Sequence, residues 1–192
     1  MILYVNAAFR KDSRTKALGE YLLHKFDDEE VIKIDLNDIN QEPLNRKNLE
    51  KRYELLDKND FNNKEFEIAN IFKKADKLII VSPTYDYSFP SMVKIFVESL
   101  CVGGLTFVYT EEGKAISLCK GKEFYYVTTS GGEIGDNIYA FGYLKEVFSD
   151  FFGYKRFAQF KAENLDIVGK DTNEIIQNTK AEIDKYFNKK DE

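Results

Sequence analysis

Short apolar runs alternate with longer amphipathic stretches along the whole chain. Ile2-Leu3-Tyr4-Val5, Leu78-Ile79-Ile80-Val81-Ser82 and Glu123–Thr129 read as strands covered on both faces. Val31–Leu36 and Arg156–Lys161 are predicted as two more strands. Between them apolar residues recur at helical spacing. Leu18, Tyr21, Leu22, Leu23 and Phe26 mark a helix over 15–26, and Phe66, Ile68, Ile71 and Phe72 mark the inward face of one or two helices over 45–75. Pro90–Val102 and 136–152 are predicted as further helices, the second with Ile138, Phe141, Leu144, Val147, Phe148 and Phe151 inward. Asp171 is placed to cap a last helix, with Glu174 as its capping-box partner. Leu105–Tyr109 and Ala115–Leu118 read as short strands around Glu111-Glu112-Gly113, a small hairpin-like insertion.

The order is βαβαβαβαβα. It predicts an α/β fold with a five-stranded, mostly parallel sheet and helices on both faces. No repeat, linker or low-complexity stretch interrupts it, and 192 residues are read as one domain, 1–192.

The loops that follow strands carry the chemistry, because open α/β sheets bind ligands at the C-terminal ends of their strands. After the first strand, Ala7–Thr15 runs into a helix N-terminus. Ser13, Arg14 and Thr15, with the unpaired amides there, suit a phosphate; equally, Asp12 or Ser13 simply caps the helix. After the third strand comes Pro83-Thr84-Tyr85-Asp86-Tyr87-Ser88-Phe89-Pro90. Pro90 suits a first helical turn, with Ser88 or Ser91 available as cap, and the two tyrosines offer a flat ring an apolar face. The alternative is a rigid strand–helix turn with incidental tyrosines. After Glu123–Thr129, Ser130-Gly131-Gly132 permits close backbone approach to a ligand or forms a tight turn. A strand order of 2-1-3-4-5 makes the three loops neighbours. A phosphate site, an aromatic shelf and a glycine wall together suit flavin mononucleotide, FMN.

Composition narrows the alternatives. The net charge of −5 and the lack of a basic stripe argue against a nucleic-acid groove. Cys101 and Cys119 are too few for an iron–sulfur cluster or a closed zinc site, and His24 is the single histidine, which excludes a Ser-His-Asp triad and His-rich metal centres. Neither Gly-x-x-x-x-Gly-Lys-Ser/Thr nor Gly-x-Gly-x-x-Gly occurs. Carboxylates do not cluster at the strand ends, against a phosphate-accepting receiver domain. No apolar run spans a bilayer or forms a signal-peptide core, so a reduced cytoplasmic protein is expected.

From Pro83 to Glu98 the chain reads Pro-Thr-Tyr-Asp-Tyr-Ser-Phe-Pro-Ser-Met-Val-Lys-Ile-Phe-Val-Glu. Gly104-Leu105-Thr106-Phe107-Val108-Tyr109-Thr110-Glu111-Glu112-Gly113 follows, then Gly121-Lys122 and Thr129-Ser130-Gly131-Gly132. These segments resemble the flavodoxin-like NAD(P)H:quinone reductases and, more closely, the FMN-dependent NADH:quinone reductases also called azoreductases. The resemblance covers essentially the whole chain and is most specific in the middle third. It departs at Asp86, where Asn is usual, at Glu98 in place of Asp, at Ala8 where some members have serine, and at Glu133-Ile134-Gly135, where relatives commonly place a histidine.

The resemblance implies a flavodoxin-like fold and tightly bound FMN. Cofactor contacts fall to Ser13, Arg14, Thr15, Pro83, Thr84, Tyr85, Asp86, Tyr87, Thr129, Ser130, Gly131 and Gly132. It implies NADH or NADPH as donor and ping-pong reduction of quinones, azo or nitro aromatics. Phe107 and Tyr109 would stack the acceptor, and a homodimer would carry each site at its interface. No side chain is assigned a catalytic role, the chemistry lying on the flavin. Competing readings are a flavodoxin-type electron carrier and a cofactor-free regulatory module.

Overall fold

The pattern of apolar runs becomes a layered sheet in the computed structural model, which describes residues 1–189. In chain order the elements are β1 (Ile2–Asn6), α1 (Arg14–Leu23), β2 (Val31–Asp35), α2 (Arg46–Asp57), α3 (Glu67–Lys74), β3 (Lys77–Val81), α4 (Ser91–Leu100), β4 (Phe107–Tyr109), β5 (Ala115–Ser117), β6 (Glu123–Thr129), α5 (Tyr143–Asp150), β7 (Arg156–Ala162) and α6 (Thr172–Asn188). Five strands form one parallel sheet in the order β2-β1-β3-β6-β7. Numbered within that sheet alone, this is the expected 2-1-3-4-5. The insertion is a separate antiparallel pair, β4 with β5, in which Val108 faces Ile116.

Alternation along the strands divides the core into two layers. Leu3, Val5, Leu78, Ile80, Phe124 and Tyr126 point to one face, where Phe72 of α3, Phe96 of α4 and Phe148 of α5 cover them. Ile2, Tyr4, Ile79, Val81, Tyr125 and Val127 point to the other, under Leu18 and Leu22 of α1 and Ile183 of α6. Burial on both sides is why these central strands read as unbroken apolar runs.

Several predicted helices break up at identifiable points. The 15–26 helix is α-helical to Leu23 and ends in a 3-10 turn at His24–Phe26. The 45–75 stretch resolves into α2, a left-handed Asn59, a 3-10 turn at Lys64–Phe66, and α3. The 136–152 helix opens with a wide π-helical turn over Ile138–Gly142, launched from a left-handed Asn137, before becoming α5. Neither serine caps α4: Pro90 occupies its N-cap, and the Ser88 hydroxyl donates instead to the Tyr139 carbonyl, at 2.9 Å. Asp171 caps α6 by accepting the Asn173 and Glu174 N–H groups. No helix among the described residues is long and apolar enough to cross a membrane.

Candidate active site

Three loops leave the C-terminal ends of β1, β3 and β6, which lie side by side, and main-chain bonds stitch them together. Ala7 N–H donates to Val81 O at 2.8 Å, Ser82 N–H to Val127 O at 2.9 Å and Thr84 N–H to Thr129 O at 2.9 Å. Hydroxyls add two more ties, Thr15 to Thr129 at 2.6 Å and Thr84 to Thr128 at 3.0 Å.

The first loop is braced from beneath. Buried Asn6 donates to Asp35 of β2 at 2.6 Å and accepts the Ala8 N–H at 3.2 Å. Beyond that brace, the N–H groups of residues 9–12 have no acceptor among the described residues. Ser13 is the N-cap of α1, its hydroxyl accepting the Lys16 N–H at 3.1 Å. The loop therefore presents donors beside a helix N-terminus, where partial positive charge favours an anion. Thr15 is buried, its hydroxyl committed to Thr129. Arg14 reaches across to the segment after β7, pairing with Asp166 at 3.1 Å and donating to Leu165 O at 3.4 Å.

The second loop is a two-residue hairpin. Tyr85 and Ser88 exchange both main-chain bonds, at 2.7 and 2.8 Å. Asp86 and Tyr87 between them are both left-handed, with φ of 49° and 66°. That pairing is the primed turn that strand twist favours, and glycine or asparagine adopts it most easily. Holding Asp and Tyr there costs on the order of 1–2 kcal/mol each, a kind of strain that gathers at functional sites. Tyr85 and Tyr87 present exposed rings, and the Asp86 carboxylate is exposed at the tip.

The third loop is pinned from behind. Leu165 N–H donates to Ser130 O, Asp166 N–H to Gly131 O and Asn164 N–H to Gly132 O, at 3.0 to 3.3 Å. With those carbonyls engaged, the N–H groups of Gly131, Gly132 and Glu133 have no acceptor among the described residues. A Cβ on Gly131 would lie 2.6 Å from the Asp166 carboxylate, so a larger residue there would have to displace that exposed side chain.

Of the two aromatic residues expected to stack an acceptor, Tyr109 is exposed and Phe107 is buried edge-on against Tyr109 and Phe151, at 5.3 and 5.0 Å. Three features escaped the sequence reading. Asn137 is 4% exposed, yet neither atom of its amide has a partner. Lys161 and Glu163 hold the 134–135 main chain. The phenol of Tyr126, under the loops on β6, is pushed up to about 12 by burial. Cysteine chemistry is disfavoured, because burial raises both thiols, Cys119 to about 12. No cluster of three or more potential metal ligands exists among the described residues. A cavity of about 650 Å³ lies elsewhere, bounded by the segment after β2 and by α2, α3 and α4, and none of the three loops lines it.

This arrangement can be set against known proteins. The Flavodoxin_2 family, described as a flavodoxin-like fold, matches residues 1–187. The chain belongs to that family. An FMN-dependent NADH:quinone oxidoreductase 2 from Clostridium perfringens is 30% identical over 184 residues, 92% of either chain. Its namesake from Clostridium acetobutylicum is 40% identical over 113 residues, 56% of either chain. Among flavodoxin-like structures, an azoreductase from Bacillus anthracis superposes with a TM-score of 0.83 at 20% identity, over 98% of both chains. An FMN-dependent NADH-azoreductase from the same species, solved in complex with FMN, gives 0.82 at 22% identity, over 98% of this chain and 97% of that one. At such identities the structures establish the shared flavodoxin-like fold.

Proposed function

We propose that this chain is an FMN-dependent NADH:quinone oxidoreductase that also reduces azo compounds. The observation that carries the reading is the set of main-chain N–H groups at three adjacent strand ends, 9–12, 86–87 and 131–133, that have no acceptor among the described residues. These fit the group: donors at the N-terminus of α1 for a phosphate, and peptide donors on two sides for the polar edge of a flat ring. FMN, when bound, supplies the two-electron chemistry between NADH and the acceptor.

The chain's own part is to bind, orient and exclude water. The amides of 9–12, with the Ser13 cap behind them, hold the phosphate. The Tyr85–Ser88 hairpin and the Gly131–Glu133 main chain hold the ring edge and stabilise negative charge that develops there. Thr15 and Thr129 join the first and third loops, so both ends of the cofactor are referred to one rigid sheet edge. Tyr85, Tyr87 and Tyr109 offer apolar surface for a donor or acceptor ring, with Phe107 and Phe151 supporting Tyr109 from below. Donor and acceptor share one place over the ring, which gives ping-pong turnover. A homodimer covers the apolar residues still exposed nearby, among them Val108, Ile116, Ile138 and Tyr139.

The visible spectrum of the purified protein, before and after anaerobic NADH, tests the reading. A flavin spectrum that NADH bleaches and a quinone restores is the expected result. A colourless chain that takes up no FMN overturns it. A flavin that NADH leaves oxidised identifies an electron carrier instead.

A further inference from the structure

Lys161 near the end of β7 and Glu163 just past it spend their charges on the third loop. Glu163 accepts the Ile134 N–H on Oε1 at 2.7 Å. Its other oxygen faces the Lys161 ammonium at 2.9 Å, and that ammonium donates to the Gly135 carbonyl at 2.6 Å. A carboxylate thus takes an N–H while a linked ammonium takes the carbonyl of the next residue. Both side chains are largely covered, at 32% and 19% exposure for Lys161 and Glu163, and charge-assisted bonds in such places are the strong ones.

The two bonds fall just beyond the unpaired donors of Gly131, Gly132 and Glu133. On the near side Gly131 and Gly132 are held by main-chain bonds from Asp166 and Asn164. Gly135 is left-handed, with a φ of 54°, so the chain turns where the ammonium grips it. Further on, the Ser88 hydroxyl binds the Tyr139 carbonyl and ties the same stretch to the tyrosine hairpin. Without Lys161 and Glu163, nothing polar from another element holds the chain between Gly132 and Tyr139 among the described residues.

We propose that Lys161 and Glu163 are positioning residues for the flavin ring, gripping the 134–135 main chain so that the N–H groups of 131–133 stay aimed at the ring's polar edge. The inference rests on the FMN reading above. Donors aimed at an edge that gains negative charge on reduction favour the reduced ring over the oxidised one. Loosening them therefore changes the two affinities unequally and moves the midpoint potential. A merely structural pair would weaken both forms alike and leave the potential where it was.

The test compares the parent protein with Glu163→Ala, Glu163→Gln and Lys161→Met, reading FMN affinity by flavin fluorescence, midpoint potential by redox titration, and the thermal midpoint. Glu163→Ala should bind oxidised FMN about tenfold more weakly, the effect of one lost charged hydrogen bond. Its potential should fall, with little change in thermal midpoint. Glu163→Gln keeps an acceptor for the Ile134 N–H and should stay close to the parent. Lys161→Met should lower the potential in the same direction as Glu163→Ala, so that the proposal survives if either variant folds poorly. Unchanged affinity and potential in both, or losses equal for the two redox forms, overturn the proposal. A parent that binds no FMN overturns the underlying reading itself, a distinguishable outcome.

Discussion

Asp86 and Gly19 each sit where one atom changes the outcome. Asp86 is left-handed at the tip of the tyrosine hairpin, exposed, and carries a charge where an asparagine would carry none. On the FMN reading proposed above, its carboxylate would oppose negative charge on the reduced ring, and exposure would screen that opposition. Asp86→Asn should therefore raise the flavin midpoint potential by up to about 30 mV, the equivalent of about 1.4 kcal/mol on a two-electron couple. Redox titration of both proteins at one pH checks this, and an unmoved potential means the carboxylate faces away. Gly19, in the middle of α1, is a matter of space. A Cβ there would lie 2.5 Å from Val81 Cγ2 and 2.8 Å from the Tyr4 hydroxyl, so the helix rests directly on the sheet. Gly19→Ala should destabilise the fold by about 1–3 kcal/mol through overpacking, despite alanine's better helix propensity. Urea unfolding gives the sign at once.

Elements show where the sequence was legible and where it was not. The strands could be read because each is buried on both faces or alternates cleanly, and that follows from the side chains alone. The hairpin at Pro83–Pro90 could be located from its prolines, but its left-handed pair could not, since Asp and Tyr do not announce positive φ. From the sequence Lys161 is only the last residue of the Arg156–Lys161 strand. Its role follows from β7 lying beside β6, which sets the strand end against the glycine loop. The expected serine caps of α4 failed for a similar reason, because Ser88 found a carbonyl on a distant segment. At its other end α4 is closed by a residue from α2: Arg52 donates to Cys101 O at 2.5 Å and to Glu98 O at 3.3 Å. Arg52→Met keeps much of the stem's packing but takes the donor from the Cys101 carbonyl, while Glu98 O keeps the Cys101 N–H. A loss of about 1.5–3 kcal/mol is expected in denaturant unfolding.

At the scale of the molecule, buried phenols set a limit on the alkaline side. Burial raises Tyr4, Tyr125, Tyr126 and Tyr154, with Tyr126 at about 12 against an ordinary 10.0. The unfolded chain begins to lose phenolic protons near pH 10.0 while the folded one keeps them. The Tyr126 contribution to stability is therefore complete below that pH and is lost as pH rises through about 12, and the other three phenols, also raised, hold their protons in the folded chain as well. Phenolate absorbance should appear together with loss of tertiary circular dichroism above pH 10.0; independent ionisation in a folded protein would contradict this. Exposed apolar residues make the second expectation at this scale. Val108 and Ile116 are cross-strand partners on the insertion, and Tyr139 lies beside the hairpin. Sedimentation should give a dimer, and Ile116→Glu should shift it toward monomer without unfolding the chain. A monomeric parent would remove the interface from the proposal.

The main-chain donors have a consequence for drift and for drug resistance. A peptide N–H is carried by every residue except proline, so a surface built from such groups places almost no demand on side chains. Substitutions can accumulate over 9–12 and 132–133 as long as the path of the chain is kept. Path-setting positions such as Pro83, whose ring fixes φ, are expected to tolerate the least change. A fold shared at a TM-score of 0.83 with only 20% identity is compatible with that freedom. The same freedom narrows the routes of escape: an inhibitor that competes for these N–H groups loses no contacting side chain, and is weakened only through residues that aim the donors, such as Lys161 and Glu163.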